Sequence, residues 1–352
     1  MKRLLAIVLA LMLAFAMLSC AVAEEKLYIP VIAKGFQHQY WQTVYKGAQQ
    51  AAEDYGVEIY FDGPASETDI DDQVEMLKNE MAKNPVALAL AALSTDAVMD
   101  QLQECVEKGI PVIGFDSGVP NAPEGAIYAT AATDNENAAA LAAQKMYEYA
   151  GFTDILAAAT PEEPVVIAVI SQEAVSASIV GRTTGFVNEM KKLAAEYGVV
   201  SVEGHDIWKD EQADASIIIY VQISATTESS DIANASNAVL NMDGLKAIFL
   251  SNEGAVTGFL AATADGSELG EGGRYEGLIV AGFDAGAPQK NAVRNGWFIG
   301  AVTQDPYMIG YYAVEMAVKA ANGEEVSDMD TGAQWYNSEN IDDEMISMLV
   351  YD

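Results

Sequence analysis

Between residue 26 and about residue 320 the chain alternates two patterns. Short, almost unbroken apolar runs rich in Val, Ile, Leu and Ala are followed by longer stretches whose apolar positions recur at helical spacing. The runs at 27–33, 57–61, 86–93 and 112–115 predict strands, and the stretches at 41–55, 70–83 and 97–108 predict helices between them. Gly56 stands where the first helix should stop. A loop at 160–164 precedes a second series, with strands expected at 165–170, 217–221, 247–250 and 278–283 and helices at 185–197, 232–240 and 255–264. Residues 203–215 read as an insertion and the glycine-rich stretch 266–277 as a surface loop. Continuous apolar strands alternating with helices predict a parallel sheet covered on both faces. Two such series predict an α/β protein of two doubly wound lobes.

The two series share a repeat. Gly114-Phe115-Asp116-Ser117-Gly118-Val119-Pro120 in the first matches Gly282-Phe283-Asp284-Ala285-Gly286-Ala287-Pro288 in the second. Each follows an apolar run and sets an Asp at the end of a predicted strand. Upstream, Leu93-Ser94-Thr95-Asp96-Ala97-Val98 matches Leu250-Ser251-Asn252-Glu253-Gly254-Ala255-Val256. Ligands of open α/β sheets sit outside the carboxyl ends of the strands. Two facing copies of this unit would present Asp116 and Asp284 to a shared cleft. One such Asp serves equally well to cap a turn; the matched pair points to a site.

The ends and the composition narrow the function. Lys2 and Arg3, the apolar run 4–18 and Ala21-Val22-Ala23 before Glu24 predict a secretory signal peptide over residues 1–23. That run is shorter than the ~20 residues of a spanning helix. Cys20 offers lipidation as the alternative to cleavage. Ser19 suits it, but Leu18 stands where a small residue is expected, so cleavage after Ala23 is favoured. Cys105 is the one other cysteine and reads as a buried helix position. A formal charge of −34 argues against nucleic acid as a partner and against anionic membranes; it serves solubility. His38 and His205 are the only histidines. No Cys/His cluster suited to a metal and no Ser-His-Asp arrangement is legible, so neither cofactor nor metal is expected.

These residues carry a specific resemblance. Across residues 26–340 the chain resembles the type I periplasmic sugar-binding proteins of ABC transporters, the ribose- and galactose-binding group. The motifs come in family order. They are Gly35-Phe36-Gln37-His38-Gln39-Tyr40-Trp41 with Lys46-Gly47-Ala48, Phe61-Asp62-Gly63-Pro64 with Gln73, and Pro111-Val112-Ile113-Gly114-Phe115-Asp116. Thr133-Asp134-Asn135, Gly181-Arg182-Thr183-Thr184-Gly185-Phe186, Ser251-Asn252-Glu253, Gly282-Phe283-Asp284 and Val302-Thr303-Gln304-Asp305-Pro306 follow. The resemblance implies an N-terminal lobe of residues 25–130 plus 305–333 and a C-terminal lobe of 131–304 plus 334–352. It implies three hinge crossovers, near 130–133, 303–305 and 332–334. It places Tyr40 and Trp41 on the aromatic pair that packs on a sugar ring. Asp116, Arg182, Asn252, Asp284 and Gln304 fall on the positions that grip hydroxyls. Lys34 and His38 fall on contact positions that are often Ser and Asn in ribose receptors, a departure that tells against ribose. An aromatic expected near Thr226-Thr227 is missing, with Trp208 the candidate substitute. The implied partners are a monosaccharide or related small polar ligand and the membrane permease of an ABC importer, for a monomeric, extracytoplasmic chain that is not an enzyme.

The residue types suit the chemistry. An aromatic face takes the polarised C–H groups of a sugar, while Asp accepts, Arg donates, and Asn and Gln do both. Adjacent residues on a helix point in different directions, so one of Tyr40 and Trp41 is expected in the lobe's core. Two rivals remain at this level. A glycoside hydrolase would use Asp116 and Asp284 as a pair ~5–9.5 Å apart with one raised pKa, against which Arg182 would lower both. A receptor for a signal molecule or for chemotaxis would share the fold and differ in ligand and partner.

Overall fold

The computed structural model of the chain describes residues 26–36 and 38–351. The leader read at 1–23, Cys20 included, lies outside the described residues. The first series holds β1 (Tyr28–Ile32), α1 (Gln39–Tyr55), β2 (Glu58–Asp62), α2 (Ile70–Met81), β3 (Leu88–Leu90), α3 (Met99–Lys108), β4 (Val112–Phe115) and β5 (Ile127–Ala132). After α4 (Asn135–Tyr147) and α5 (Phe152–Ala157) the second holds β6 (Val165–Ser171), α6 (Ala177–Ala194), β7 (Val200–Glu203), β8 (Ile217–Ile223), α7 (Ser229–Leu240), β9 (Leu245–Leu250), α8 (Glu253–Ala262), β10 (Ile279–Phe283), α9 (Ala287–Arg294) and β11 (Gly300–Gln304). The chain ends with α10 (Pro306–Ala321), β12 (Met329–Asp330), β13 (Ala333–Tyr336) and α11 (Glu344–Leu349).

Two sheets result. The first has the order β12-β5-β4-β3-β1-β2 and the second β13-β11-β10-β9-β6-β8-β7. All pairings are parallel except β13 on β11. Strand order reverses at β1 in the first sheet and at β6 in the second, so each has a switch point of the kind that opens a crevice beyond the strand ends. Both faces are helix-covered, which explains the apolar runs: β6 is buried along its whole length. The stretch read as an insertion follows an added edge strand, β7, which the short run Val200-Ser201-Val202 left invisible as a separate element.

Each lobe is anchored by one close helix pair. A Cβ on Gly47 of α1 would lie 1.8 Å from the Tyr307 carbonyl oxygen, and one on Gly310 of α10 would lie 1.9 Å from that of Val44. In the second lobe a Cβ on Gly185 of α6 would lie 2.1 Å from the Glu136 carbonyl oxygen of α4. Only glycine permits backbones this near. α1 ends at Gly56, left-handed at φ 66°, whose N–H reaches the Ala52 and Glu53 carbonyls. Cys105 is fully buried in α3 as a free thiol.

The chain passes between the sheets three times: after β5, after β11, and at Thr331–Gly332 between β12 and β13. The passages are tied to one another. Thr133 Oγ1 donates to Gln304 Oε1 at 2.9 Å, the Asp134 N–H to Asp330 at 3.0 Å, and the Thr331 N–H to the Ala132 carbonyl at 3.0 Å.

Candidate ligand cleft between the lobes

The repeated Asp residues show how the site is built. Asp116 and Asp284 both sit one residue beyond a strand, and both have positive φ, 55° and 77°. That conformation is costly for a side-chain-bearing residue, though Asp and Asn tolerate it best. In each case the backbone N–H continues the sheet ladder, Asp116 to the Ala131 carbonyl at 3.0 Å and Asp284 to that of Val302 at 2.8 Å. The strand is thereby held while the chain turns and the carboxylate is thrown off the sheet end. The same device in both lobes aims two carboxylates at one space.

That space is a cleft lined by Lys34, His38, Tyr40, Trp41, Glu67, Asp116, Ile179, Arg182, Asn252, Glu253, Asp284 and Gln304. All nine residues singled out in the sequence meet there. About 20 Å³ lies unfilled among them, room for little more than a water molecule, so the lobes stand shut on the site. Cross-lobe hydrogen bonds close the rim, Thr68 with Thr227 at 2.8 Å and Ser66 with Glu228 at 2.9 Å.

Asp284 is the hub of the second lobe's side. Its Oδ1 accepts from Gln304 Nε2 at 2.7 Å, and its Oδ2 accepts from the Glu253 N–H at 2.9 Å and from Arg182 at 3.4 Å. Arg182 is held further by Nε–H to Asn135 at 2.8 Å, and its guanidinium lies 3.9 Å over the Phe283 ring. The expected helix at 185–197 in fact runs from Ala177, so Arg182 projects from α6 rather than from a preceding loop. Asn252 caps α8 through its Oδ1, which leaves its amide nitrogen for the cleft.

On the first lobe's side, Tyr40 Oη donates to Asp116 Oδ1 at 2.6 Å, and Lys34 Nζ lies 3.8 Å from Asp116 Oδ2. That Oδ2 has no hydrogen-bond partner although buried. Burial raises the Asp116 carboxyl pKa, against the pull of Lys34 and Arg182. It also pushes the Tyr40 hydroxyl well above the usual phenol range, helped by Asp116. Tyr40 and Trp41 both belong to the buried core, as expected of one of them, and both also line the cleft. They lie at the open end of α1, with rings edge to face at 5.0 Å, and each polar tip is anchored on a cleft carboxylate.

Three lining residues went unread in the sequence. Glu67 accepts from Trp41 Nε1 at 2.8 Å and, across the lobes, from Gln172 at 2.7 Å. Burial works to raise its pKa, but Lys34, His38 and these two donors outweigh it and hold the carboxyl below its ordinary value. Glu253 pairs with Asp96 in the internal repeat, the signal that could have found it. Burial raises its pKa to about 7, with Asp284 adding and His38 opposing. Ile179 is one apolar residue among many on α6, with no distinguishing signal. Trp208, by contrast, is corrected: its indole N–H donates to Thr184 at 2.9 Å and it packs on the second lobe's own core, not in the cleft. Among the described residues no His, Cys, Asp and Glu side chains are grouped to hold a metal ion, and no helix is long and apolar enough to cross a membrane.

A two-lobed α/β molecule with its polar site at the seam between switch points belongs to a defined class, and comparison with known proteins agrees. The family described as a periplasmic binding protein domain matches residues 29–325, and the chain belongs to that family. It is accordingly an extracytoplasmic binding protein and not an enzyme. The D-allose-binding periplasmic protein of Escherichia coli (strain K12) is 23% identical over 309 residues, 87% of this chain and 88% of that one. A solved structure from Brachyspira murdochii, described as an ABC transporter, LacI family transcriptional regulator, is 42% identical with a TM-score of 0.78, over 93% of this chain and 99% of that one. An ABC transporter solute-binding protein from Agrobacterium vitis with bound D-fucose is 29% identical with a TM-score of 0.75, over 92% and 100%.

Proposed function

We propose that the chain captures a monosaccharide or closely related sugar between its lobes and delivers it, as a monomer, to the permease of an ABC importer. The lobes are residues 25–130 with 305–333, and 131–304 with 334–352. The observation that carries the reading is the matched pair Asp116 and Asp284, one per lobe, converging on a cleft that also holds Tyr40, Trp41 and Arg182. Aromatic edges and faces suit C–H groups, and charged groups suit hydroxyl pairs. A hydrogen bond to a charged group is worth ~1.5–3 kcal/mol net, so three or four, less the cost of closure, give ~8 kcal/mol and a micromolar Kd. Lys34, His38, Asn252 and Gln304 complete the contact set. Both lobes must close for the set to assemble, so ligand favours the closed form and a docking partner can read it. A relative named for D-allose and a solved structure with bound D-fucose support the ligand class. Export follows from the leader read at 1–23; lipid attachment at Cys20 is the alternative anchoring.

Thermal unfolding against pentoses, hexoses, polyols and furanosyl signal molecules tests the reading. At a thousand times Kd a ligand adds ~4 kcal/mol, a rise of several degrees for a chain of this size. A selective rise with one sugar class supports it. A flat response to every sugar from ligand-free protein overturns it in favour of a signal-molecule receptor.

A further inference from the structure

The cleft does not end at the residues already assigned. A second, open groove of about 580 Å³ adjoins it, lined by Gln39, Thr227, Glu228, Ser229, Thr257 and Ala287 among others. Two residues line both spaces, His38 from the first lobe and Glu253 from the second. The inner chamber is tight, with room for the centre of a water molecule in only about 20 Å³. The lobes are stitched on either side of this junction. Gln39 Oε1 accepts from the Ala287 N–H at 3.3 Å at one side of the groove, and the Thr68–Thr227 and Ser66–Glu228 bonds close the other. Elsewhere the seam is crossed by Lys34 to Ser178 at 3.3 Å, the Ser178 N–H to Ser117 at 3.3 Å and the Thr95 N–H to the Val175 carbonyl at 3.3 Å. His38 Nε2 is buried yet has no hydrogen-bond partner among the described residues. A buried polar nitrogen left bare is costly, and here it stands on the boundary that the two spaces share.

We propose that His38 and Glu253 form a portal rather than a wall, and that the ligand is a sugar carrying a substituent that leaves the chamber between them into the groove: a glycoside or a disaccharide. The proposal rests on the sugar reading of the inner chamber and narrows it. The groove supplies hydroxyl and amide groups from Gln39, Thr227, Ser229 and Thr257, suited to a second polar ring, and among the described residues it is lined by no Phe, Tyr or Trp. The inner ring therefore carries most of the affinity and the groove sets tolerance for what is attached to it. His38 Nε2 and the Glu253 carboxyl are the groups placed to meet the linking oxygen or its neighbouring hydroxyl.

Calorimetric titration of the ligand-free protein with D-galactose, D-glucose and D-allose, each as the free sugar and as its methyl α- and β-glycosides, together with lactose, melibiose and cellobiose, tests this. At least one substituted sugar should bind within tenfold of its parent or more tightly. Ser229→Trp, at an exposed position in the groove, should then lower the ratio of substituted-sugar to free-sugar affinity at least tenfold. Free-sugar binding with every substituted form more than tenfold weaker shows a sealed chamber and overturns the portal while leaving the sugar reading intact. An unchanged ratio in Ser229→Trp equally overturns it. Binding of neither form removes the sugar reading and the portal with it.

Discussion

Arg182 and Asp284 form the most heavily invested pair of side chains in the cleft, at 3% and 4% exposure. A buried pair of this kind contributes little net stability while intact, but removing one partner strands the other's charge at a cost of ~3–5 kcal/mol. Asp284→Ala should therefore lower the melting temperature as well as abolish binding, whereas Asp284→Asn, which keeps the shape and the bond from the Glu253 N–H but still leaves Arg182 unpaired, should lose somewhat less stability and equally lose ligand. Paired thermal unfolding and titration separate the two. Glu253 makes the second prediction at this scale. Its carboxyl titrates at about 7 in the folded protein against 4.5 ordinarily, so between those values the native state binds more protons than the unfolded one. Stability should then fall as pH rises from about 4.5 to 7, by an amount on the order of 3 kcal/mol. Denaturant unfolding across that range should show the decline, and Glu253→Gln should flatten it. What the sequence disclosed here was the pair Asp116 and Asp284, because duplication printed them twice. Glu67 stayed hidden because its role depends on Gln172, more than a hundred positions away and on the other lobe, and no local pattern records such a partner.

At the scale of elements the close helix pairs set the framework. α1 on α10 and α4 on α6 approach so nearly that Gly47, Gly310 and Gly185 have carbonyl oxygens where a Cβ would go. Gly47→Val or Gly185→Val should force the helices apart and cost at least ~2 kcal/mol, read as a fall in denaturant midpoint. Gly56→Ala, at a left-handed helix end with open space around it, should cost only ~1 kcal/mol. Among the described residues eight of thirteen strands and six of eleven helices were legible, the strands because both faces of each sheet are covered, which turns a strand into an unbroken apolar run; β5, β7, β11, β12 and β13, short or interrupted by polar residues, were not. The boundaries were less legible. The expected starts fell two residues late in α1 and eight late in α6, because the opening turns carry cleft residues, Tyr40 in α1 and Ile179 and Arg182 in α6, that blur the helical pattern.

The molecule as a whole is a pair of lobes joined by three adjacent passages whose hydrogen bonds lead directly into the site. Thr133 donates to Gln304, Gln304 donates to Asp284, and Asp284 holds Arg182. Occupancy of the cleft and the angle of the hinge are thus mechanically linked, and ligand should narrow the particle, visible as a smaller radius of gyration in X-ray scattering. The central claim is that capture needs both lobes at once. Calorimetric titration with the sugar that most raises the melting temperature, applied to the unaltered protein, Asp116→Ala and Asp284→Ala, tests it most directly. The account predicts one site per chain at micromolar Kd or tighter, weakened at least 100-fold, ~2.7 kcal/mol, by each substitution separately. Unchanged affinity in either variant would mean that one lobe binds alone, and would contradict it.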